Sequence, residues 1–259
     1  MSMFGPDVLL ETFGGAVLDT GVWTPAYLPA WSSAADAAAT YRLAVDGLHL
    51  SIPAEQSLWC PDDHDGALRV SAVQSGNWSG PVGSDQGQQP FRRGLVVREE
   101  QPALWGFTPH FGRIEVECRA VIGPRSMFSA WMVGVEDVPE RSGEICLVEV
   151  FGETIGLDPS GRRTAHVGSG IHPFRDPSLS EEFRAEPTVI DVSTFHRYAV
   201  EWSPGRVEFF VDDEPTHEVE QAPDYPMQLI LGVFDFPDRG PADSDVPQLV
   251  VRRAEGVPL

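Results

Sequence analysis

Two glutamates lie within one stretch that otherwise has the composition of a buried strand, Gly143-Glu144-Ile145-Cys146-Leu147-Val148-Glu149-Val150-Phe151-Gly152. Its other residues are mostly aliphatic, β-branched or aromatic, and glycine stands at both ends. A carboxylate in such surroundings is costly unless it is hydrogen-bonded or used in a reaction. Glu144 and Glu149 are therefore candidate catalytic residues.

In a regular strand, Glu144 and Cys146 share one face and Glu149 points to the other. A one-residue bulge near Leu147-Val148 would bring Glu149 back to the face of Glu144. Two carboxyl groups about 5–5.5 Å apart are the arrangement of a retaining glycosidase, and their like charges raise one pKa and supply a protonated acid. The spacing leaves one alternative open, in which both glutamates lie on a solvated edge.

The charge of the chain excludes several classes of partner. The 259 residues carry a net charge of −21, and all 18 basic residues are arginines. Nucleic acid and anionic membrane surfaces require basic patches, so neither is expected as a partner. No apolar segment reaches membrane-spanning length. A neutral ligand remains compatible with this composition.

The three cysteines, Cys60, Cys118 and Cys146, are too few and too widely spaced for a disulfide framework or a metal site. They are typical of a reducing compartment. The first basic residue is Arg42, so no basic leader is recognisable. We expect a cytoplasmic monomer, or a secreted protein if a leader has been removed.

Many short strands joined by turns are predicted, because 23 prolines and 25 glycines are spread along the chain. Asp46-Gly47 is a hairpin signal, and Arg113–Val121 alternates between apolar and charged residues. Short strands are also predicted at Gly94–Arg98 and Ala103–Phe107. These patterns predict one all-β domain over residues 1–259, a two-sheet sandwich.

The central stretch resembles the Glu-x-Asp-x-x-Glu signature of glycoside hydrolase family 16, in its laminarinase-like branch. Both glutamates match, with Cys146 at the position of the middle Asp. Further similar stretches follow in the family's order: Asp46–Leu50, Phe111–Val116, Ala130–Gly134 and Phe195–Pro204. The resemblance implies a concanavalin A-like jelly roll with a concave substrate cleft.

The resemblance also implies roles for the acidic pair. Glu144 would be the nucleophile and Glu149 the general acid and base, with the Cys146 thiol between them. In the family, the middle Asp orients the nucleophile, and a thiol is a weaker hydrogen-bond donor. Pro247 stands where a C-terminal Asp often helps to bind structural calcium in the family. We therefore predict neither a catalytic metal nor another cofactor, and calcium is not favoured.

Four further residues are predicted to bind substrate. The resemblance places Trp131 on the cleft floor, where it would stack on a sugar ring, and His166 near the site. Trp78 and Trp105 are candidates for additional sugar contacts. The alternatives are a core position for Trp131, a structural role for His166, and packing roles for Trp78 and Trp105.

The leading functional hypothesis is a retaining hydrolase of β-1,3- or mixed β-1,3/1,4-linked glucan, acting by double displacement. One alternative is a carbohydrate-binding jelly roll without turnover, which the cysteine in the motif would favour. Another is a transglycosylase, which uses the same carboxylates and differs in its acceptor. In each case, the expected partner is a carbohydrate.

Overall fold

The computed structural model describes residues 5–242 and 245–259. Within them the regular structure consists of strands and three short 3₁₀ turns, at Pro29–Trp31, Gly152–Thr154 and Pro237–Arg239. The strands are β1 (Leu9–Glu11), β2 (Tyr41–Ala44), β3 (Gly47–Ser51), β4 (Arg69–Gln74), β5 (Gly76–Asn77), β6 (Leu104–Trp105), β7 (Gly112–Val121), β8 (Ser126–Gly134), β9 (Glu144–Phe151), β10 (Gly156–Leu157), β11 (Arg163–His172), β12 (Glu182–Val189), β13 (His196–Ser203), β14 (Arg206–Val211), β15 (Glu214–Val219), β16 (Met227–Asp235) and β17 (Gln248–Val257).

The strands form two large antiparallel sheets. The eight-stranded sheet has the order β15-β14-β13-β7-β17-β3-β2, with β1 paired to β17. The seven-stranded sheet has the order β10-β11-β9-β8-β16-β4, with β12 paired to β11. Strands β5 and β6 form a separate small ribbon. The predicted all-β, two-sheet sandwich is confirmed.

The main core lies between the inner faces of the two sheets. In β7, buried and half-buried residues alternate along the whole strand, as the sequence pattern predicted. The fully buried Phe128 of the seven-stranded sheet contacts Tyr198 of the eight-stranded sheet at a ring distance of 6.4 Å. The eight-stranded sheet therefore buries one face and exposes the other to solvent.

The seven-stranded sheet is buried on both faces in its centre. Every residue of β8 and of β16 is buried. Loops cover part of the outer face with a second apolar cluster, which includes Trp31, Trp59 and Trp131. This double coverage explains why both strands are continuously apolar in sequence. It also forms the walls of a cleft across the outer face.

The structure corrects two strand predictions and contains a strand that the sequence did not indicate. Residues Gly94–Arg98 form a loop, in which Val97 exchanges backbone hydrogen bonds with the loop at Gly83 and Ser84. Of Ala103–Phe107, only Leu104–Trp105 is a strand. Strand β12 has no signal in the sequence, because it is largely exposed, charged and interrupted by proline.

Among the described residues, no helix is long and apolar enough to cross a membrane. The start of the chain, on which the prediction about a leader partly rests, lies outside the described residues. The predicted extent of the domain, residues 1–259, likewise includes residues that the structure does not describe, and it stays a prediction.

Candidate active site

A β-bulge in β9 determines where its two glutamates point. Against β8, Cys146 pairs with Trp131 and Val148 pairs with Ala130, so Leu147 has no partner residue. Leu147 and Val148 consequently both enter the core between the sheets. Glu144 and Glu149 both line the cleft on the outer face. The register thus contains the bulge predicted at Leu147-Val148.

The cleft has a volume of about 420 Å³ and mainly aromatic and aliphatic walls. Its floor is formed by β8, β9, β11 and β16, and its walls come from loops. Besides the two glutamates, the lining residues are Tyr27, Leu28, Trp59, His64, Leu68, Gln89, Pro90, Phe91, Met127, Ser129, Trp131, His172, Phe174, Phe234 and Phe236. Such a surface can stack on the apolar faces of sugar rings, while a few polar groups fix their orientation.

Glu144 has a pKa well above its ordinary value. Burial and the nearby charge of Glu149 together raise its pKa to about 8. One side-chain hydrogen bond opposes this effect, because Gln89 Nε2 donates to Glu144 Oε2 at 2.9 Å. In the free protein, the Glu144 carboxyl group therefore tends to hold a proton at neutral pH.

Glu149 lies close to a cation. Burial raises its pKa too, but the positive charge of Arg239 acts in the opposite direction. The Arg239 guanidinium group lies over the Phe236 ring, 4.1 Å from its centroid, and over Phe151 at 5.2 Å. These contacts keep it beside the cleft. The two carboxyl groups thus have different electrostatic surroundings.

Cys146 is buried beneath the cleft between the two glutamates. Its Sγ lies 3.9 Å from Ser129 Oγ, which itself donates to the Val148 carbonyl oxygen at 2.8 Å. Burial, together with the charges of Glu144 and Glu149, raises the pKa of the thiol well above its usual value. Cys146 is therefore a neutral thiol in this site.

Trp131 lines the cleft, but only 4% of its surface is exposed. Its ring contacts Tyr27 and Phe234, at centroid distances of 6.2 and 5.9 Å. His166 is exposed on β11 and is absent from the cleft lining. The histidine that does line the cleft is His172, which pairs with Glu144 across the sheet.

The other two predicted tryptophans lie away from the cleft around Glu144 and Glu149. Trp78 donates from Nε1 to the Val135 carbonyl oxygen at 2.5 Å and lines a neighbouring hollow with Glu136 and Arg175. Trp105 belongs to the β5–β6 ribbon and is absent from the lining. Substrate binding by His166, Trp78 and Trp105 stays a prediction.

Several residues that line the cleft were missed from the sequence. Tyr27, Trp59, Phe91 and Phe174 lie on loops, where no periodicity marks an inward-facing side chain. Gln89 lies in the Gly-, Ser- and Gln-rich segment that resembles an ordinary surface loop. Their common role depends on how distant loops fold onto one face of the sheet.

Within the described parts of the chain, no group of three or more His, Cys, Asp or Glu side chains could hold a metal ion. The expectation that no cofactor is required stays a prediction.

Comparison with known proteins identifies the family. The family model for glycosyl hydrolases family 16 matches residues 106–242, more than half of the chain. The chain belongs to glycosyl hydrolase family 16. The match includes β7, β8, β9 and β16, and therefore both glutamates of the cleft.

Solved structures share this family fold. A GlcNAcα1-4Gal-releasing endo-β-galactosidase from Clostridium perfringens matches with a TM-score of 0.79 and 25% identity, over 99% of this chain and 64% of that chain. A laminarinase from Flavobacterium matches with a TM-score of 0.62 and 17% identity, over 96% of this chain and 98% of that chain. The second likeness shows the fold alone, a jelly-roll sandwich.

A curated relative from Candida albicans, the Crh-like protein CRH12, is 29% identical over 124 residues. The match covers 47% of this chain and 22% of that protein. The chain thus spans less than a quarter of this relative and about two thirds of the galactosidase. The family and the fold are those of enzymes that act on glycosidic bonds.

Proposed function

We propose that this protein cleaves internal β-glycosidic bonds of a neutral glycan with retention of anomeric configuration. The observation that carries the proposal is the bulge in β9, which turns Glu144 and Glu149 into one aromatic-lined cleft. Two carboxyl groups that flank one bond are the machinery of a double displacement. The family membership supports chemistry of this class.

In the first step, the ionised Glu144 attacks the anomeric carbon, and Glu149 donates its proton to the departing glycosidic oxygen. A glycosyl ester on Glu144 results. In the second step, Glu149 removes a proton from water, which attacks the same carbon and releases Glu144 as a carboxylate. Both displacements invert the anomeric carbon, so the product retains the β configuration.

The reactive protonation state is a minor form of the free protein. Because burial raises the pKa of Glu144 to about 8, and Arg239 opposes a similar rise at Glu149, the single proton of the pair resides mainly on Glu144. Catalysis requires it on Glu149. The rate therefore depends on how far neighbouring groups shift the proton from one carboxyl group to the other.

The substrate is a neutral chain, because the cleft contributes two acidic groups and the protein carries a charge of −21. Among neutral chains, we place a β-galactoside glycan first and the β-glucan of the initial hypothesis second. The likeness to the endo-β-galactosidase, with 25% identity and a TM-score of 0.79, supports this order. We also propose that water, rather than a sugar, accepts the glycosyl group in the second step.

The test is product formation from a panel of β-galactans, galactose-containing oligosaccharides, laminarin and mixed-linkage glucan, with and without added oligosaccharide acceptors. We expect wild-type protein to release products that are initially in the β-anomeric form by NMR. Glu144→Gln should abolish release. Glu117→Gln, the same change on β7 of the opposite sheet, is the control and should leave release intact.

Each other outcome contradicts a defined part of the proposal. Binding of a glycan without turnover would indicate a carbohydrate-binding module. Products lengthened by the acceptor would indicate a transglycosylase on the same two carboxylates. An α-anomeric first product would exclude the double displacement, and activity on glucans alone would reverse the proposed order of substrates.

A further inference from the structure

Gln89 is positioned to do more than line the cleft. Its Nε2 donates to Glu144 Oε2 at 2.9 Å, and its Oε1 accepts from Trp131 Nε1 at 3.5 Å. The indole N–H is exclusively a donor, so the amide oxygen must face Trp131 and the amide nitrogen must face Glu144. The Trp131 contact therefore fixes which end of the amide meets the carboxylate.

The loop that carries Gln89 is fixed by an ion pair whose carboxylate is buried. The Gln89 backbone N–H donates to a carboxylate oxygen of Glu136, and the other oxygen of Glu136 accepts from the Arg175 guanidinium group. Glu136 is only 3% exposed. The Arg175 backbone N–H donates to Ser142 Oγ at 2.9 Å. These bonds connect the loop to both ends of the β8–β9 connection.

The backbone of Gln89 has an unusual conformation that this ion pair stabilises. Its φ angle is +43°, in the left-handed region that a residue with a side chain rarely adopts. Such a conformation persists only where surrounding contacts determine it, and it recurs at functional sites. Here the contact is the buried carboxylate of Glu136, and the result is an amide directed at Glu144.

Cys146 does not provide this contact. Among the described residues, its thiol has a side-chain partner in Ser129, not in either glutamate. The side-chain donor to Glu144 comes instead from a loop 55 residues earlier in the chain. Since a buried carboxylate needs a donor to be ionised, Gln89 supplies what the strand itself lacks.

We propose that Gln89 is the positioning residue of Glu144: its amide orients the carboxylate and favours the ionised form that attacks the substrate. The Glu136–Arg175 pair holds the loop that places this amide. The kinetic consequences rest on the proposed function, whereas the effect of Gln89 on the ionisation of Glu144 does not.

Several other groups influence the ionisation of Glu144, and each is kept constant in the test. Glu149 and Cys146 lie on the same strand, Tyr27 and Glu181 lie on neighbouring loops, and His172 pairs with Glu144 on β11. His172 Nδ1 is itself 2.8 Å from Glu181. Gln89 is neutral, so its removal changes a hydrogen bond without changing the charge.

The kinetic experiment compares pH profiles of kcat/KM for wild type, Gln89→Ala and Gln89→Met. Gln89→Met keeps the length of the side chain, adds no charge and loses the donor to Glu144, which protects the test against misfolding of the alanine variant. Loss of a hydrogen bond to a charged group should raise the pKa of Glu144 by about one pH unit. Gln86→Ala, at an exposed position of the same loop, is the control.

We expect the maximum of kcat/KM to fall about tenfold in Gln89→Ala, because the proton of the pair moves further towards Glu144. The alkaline limb should move up by about one pH unit. Above that limb, both glutamates are ionised in both proteins. The difference in kcat/KM between Gln89→Ala and wild type should therefore shrink at high pH. Gln86→Ala should follow the wild-type profile. An unshifted alkaline limb in a folded Gln89→Ala variant would overturn the proposal.

A second measurement follows the ionisation of Glu144 without requiring turnover of a substrate. The free energy of unfolding is measured against pH for wild type, Gln89→Ala, Glu144→Gln and the double variant. In Gln89→Ala, the decline of the unfolding free energy with pH that Glu144 causes should end at a higher pH. In the Glu144→Gln background, the same substitution should leave the pH dependence of the unfolding free energy unchanged. A change of equal size in the Glu144→Gln background would contradict the proposal. If this cycle succeeds and no substrate is cleaved, the proposed function fails and the link between Gln89 and Glu144 stands.

Discussion

The two ends of β9 carry the same side chain in different surroundings. At its start, Glu144 is held by the neutral amide of Gln89 and is strongly affected by burial. Near its end, Glu149 is also partly buried but lies within the field of Arg239. Four residues of one strand thus separate a carboxyl group that tends to keep its proton from one that releases it more readily.

Burial raises the pKa of both acids, and a different loop residue opposes the rise at each one. Gln89 comes from the segment before β6, and Arg239 from the turn after β16. Gln89 stabilises the Glu144 anion by a hydrogen bond, whereas Arg239 stabilises the Glu149 anion by charge. Since catalysis requires the proton on Glu149, the two neighbours should have opposite effects on the rate. The following predictions test that contrast.

The largest expected effect is on activity at the Glu149 end. Glu149→Gln should lower kcat on a natural glycan by about 10²–10⁴-fold, because no acid protonates the leaving oxygen. With an aryl glycoside whose leaving group needs no protonation, Glu149→Gln should form the glycosyl ester at a nearly normal rate. In Glu149→Ala, added azide should restore turnover and give a β-glycosyl azide as product. An equal loss on both substrates, without azide rescue, would remove Glu149 from the role of acid and base.

The next effect concerns stability at the Glu144 end. Between its ordinary pKa of 4.5 and about 8, the folded protein keeps a proton on Glu144 that the unfolded chain has released. Stability should therefore decline as pH rises through this window, by roughly 2–4 kcal/mol, and level off above it. In Glu144→Gln, urea unfolding should show a shallower decline and a higher stability at about pH 9, whereas the buried Glu136, whose pKa burial raises to about 7, keeps its own share of the decline. Persistence of the full decline would show that Glu144 is not the responsible group.

A smaller and opposite effect is expected at Arg239. Arg239→Gln should raise the pKa of Glu149, and so raise the maximum of kcat/KM about threefold and move the acidic limb to higher pH. Arg239→Lys retains the charge and should stay near wild type. A lower maximum in Arg239→Gln, with Arg239→Lys unchanged, would mean that the cation assists the reaction directly.

The smallest effect is expected at the residue between the two ends. Cys146 is buried and neutral, so Cys146→Ser should change kcat/KM by about twofold or less at any pH. A large loss, or a new pH dependence, would show that the thiol takes part in the ionisation of the pair. Thermal unfolding of the variant would separate a loss of fold from a loss of function.

The all-β sandwich could be predicted from local patterns. Alternation in β7 and the hairpin at Asp46-Gly47 depend on near neighbours in the chain, and both appear in the structure. Gly94–Arg98 was predicted wrongly, because its apolar residues are buried by loop contacts instead of a sheet. The charged edge strand β12 was missed for the converse reason, since its pairing with β11 needs no apolar face.

For the site, the sequence alone determined the two glutamates, their spacing and the need for a bulge between them. These features lie within one strand, where the two-residue period of side chains governs which face each residue occupies. The tertiary structure alone decided that His172 rather than His166 lines the cleft, and that Gln89 and Arg239 meet opposite acids. Those contacts join residues far apart in the chain, and the ionisation of a carboxyl group depends on its distance from other groups and from water, neither of which a linear pattern specifies.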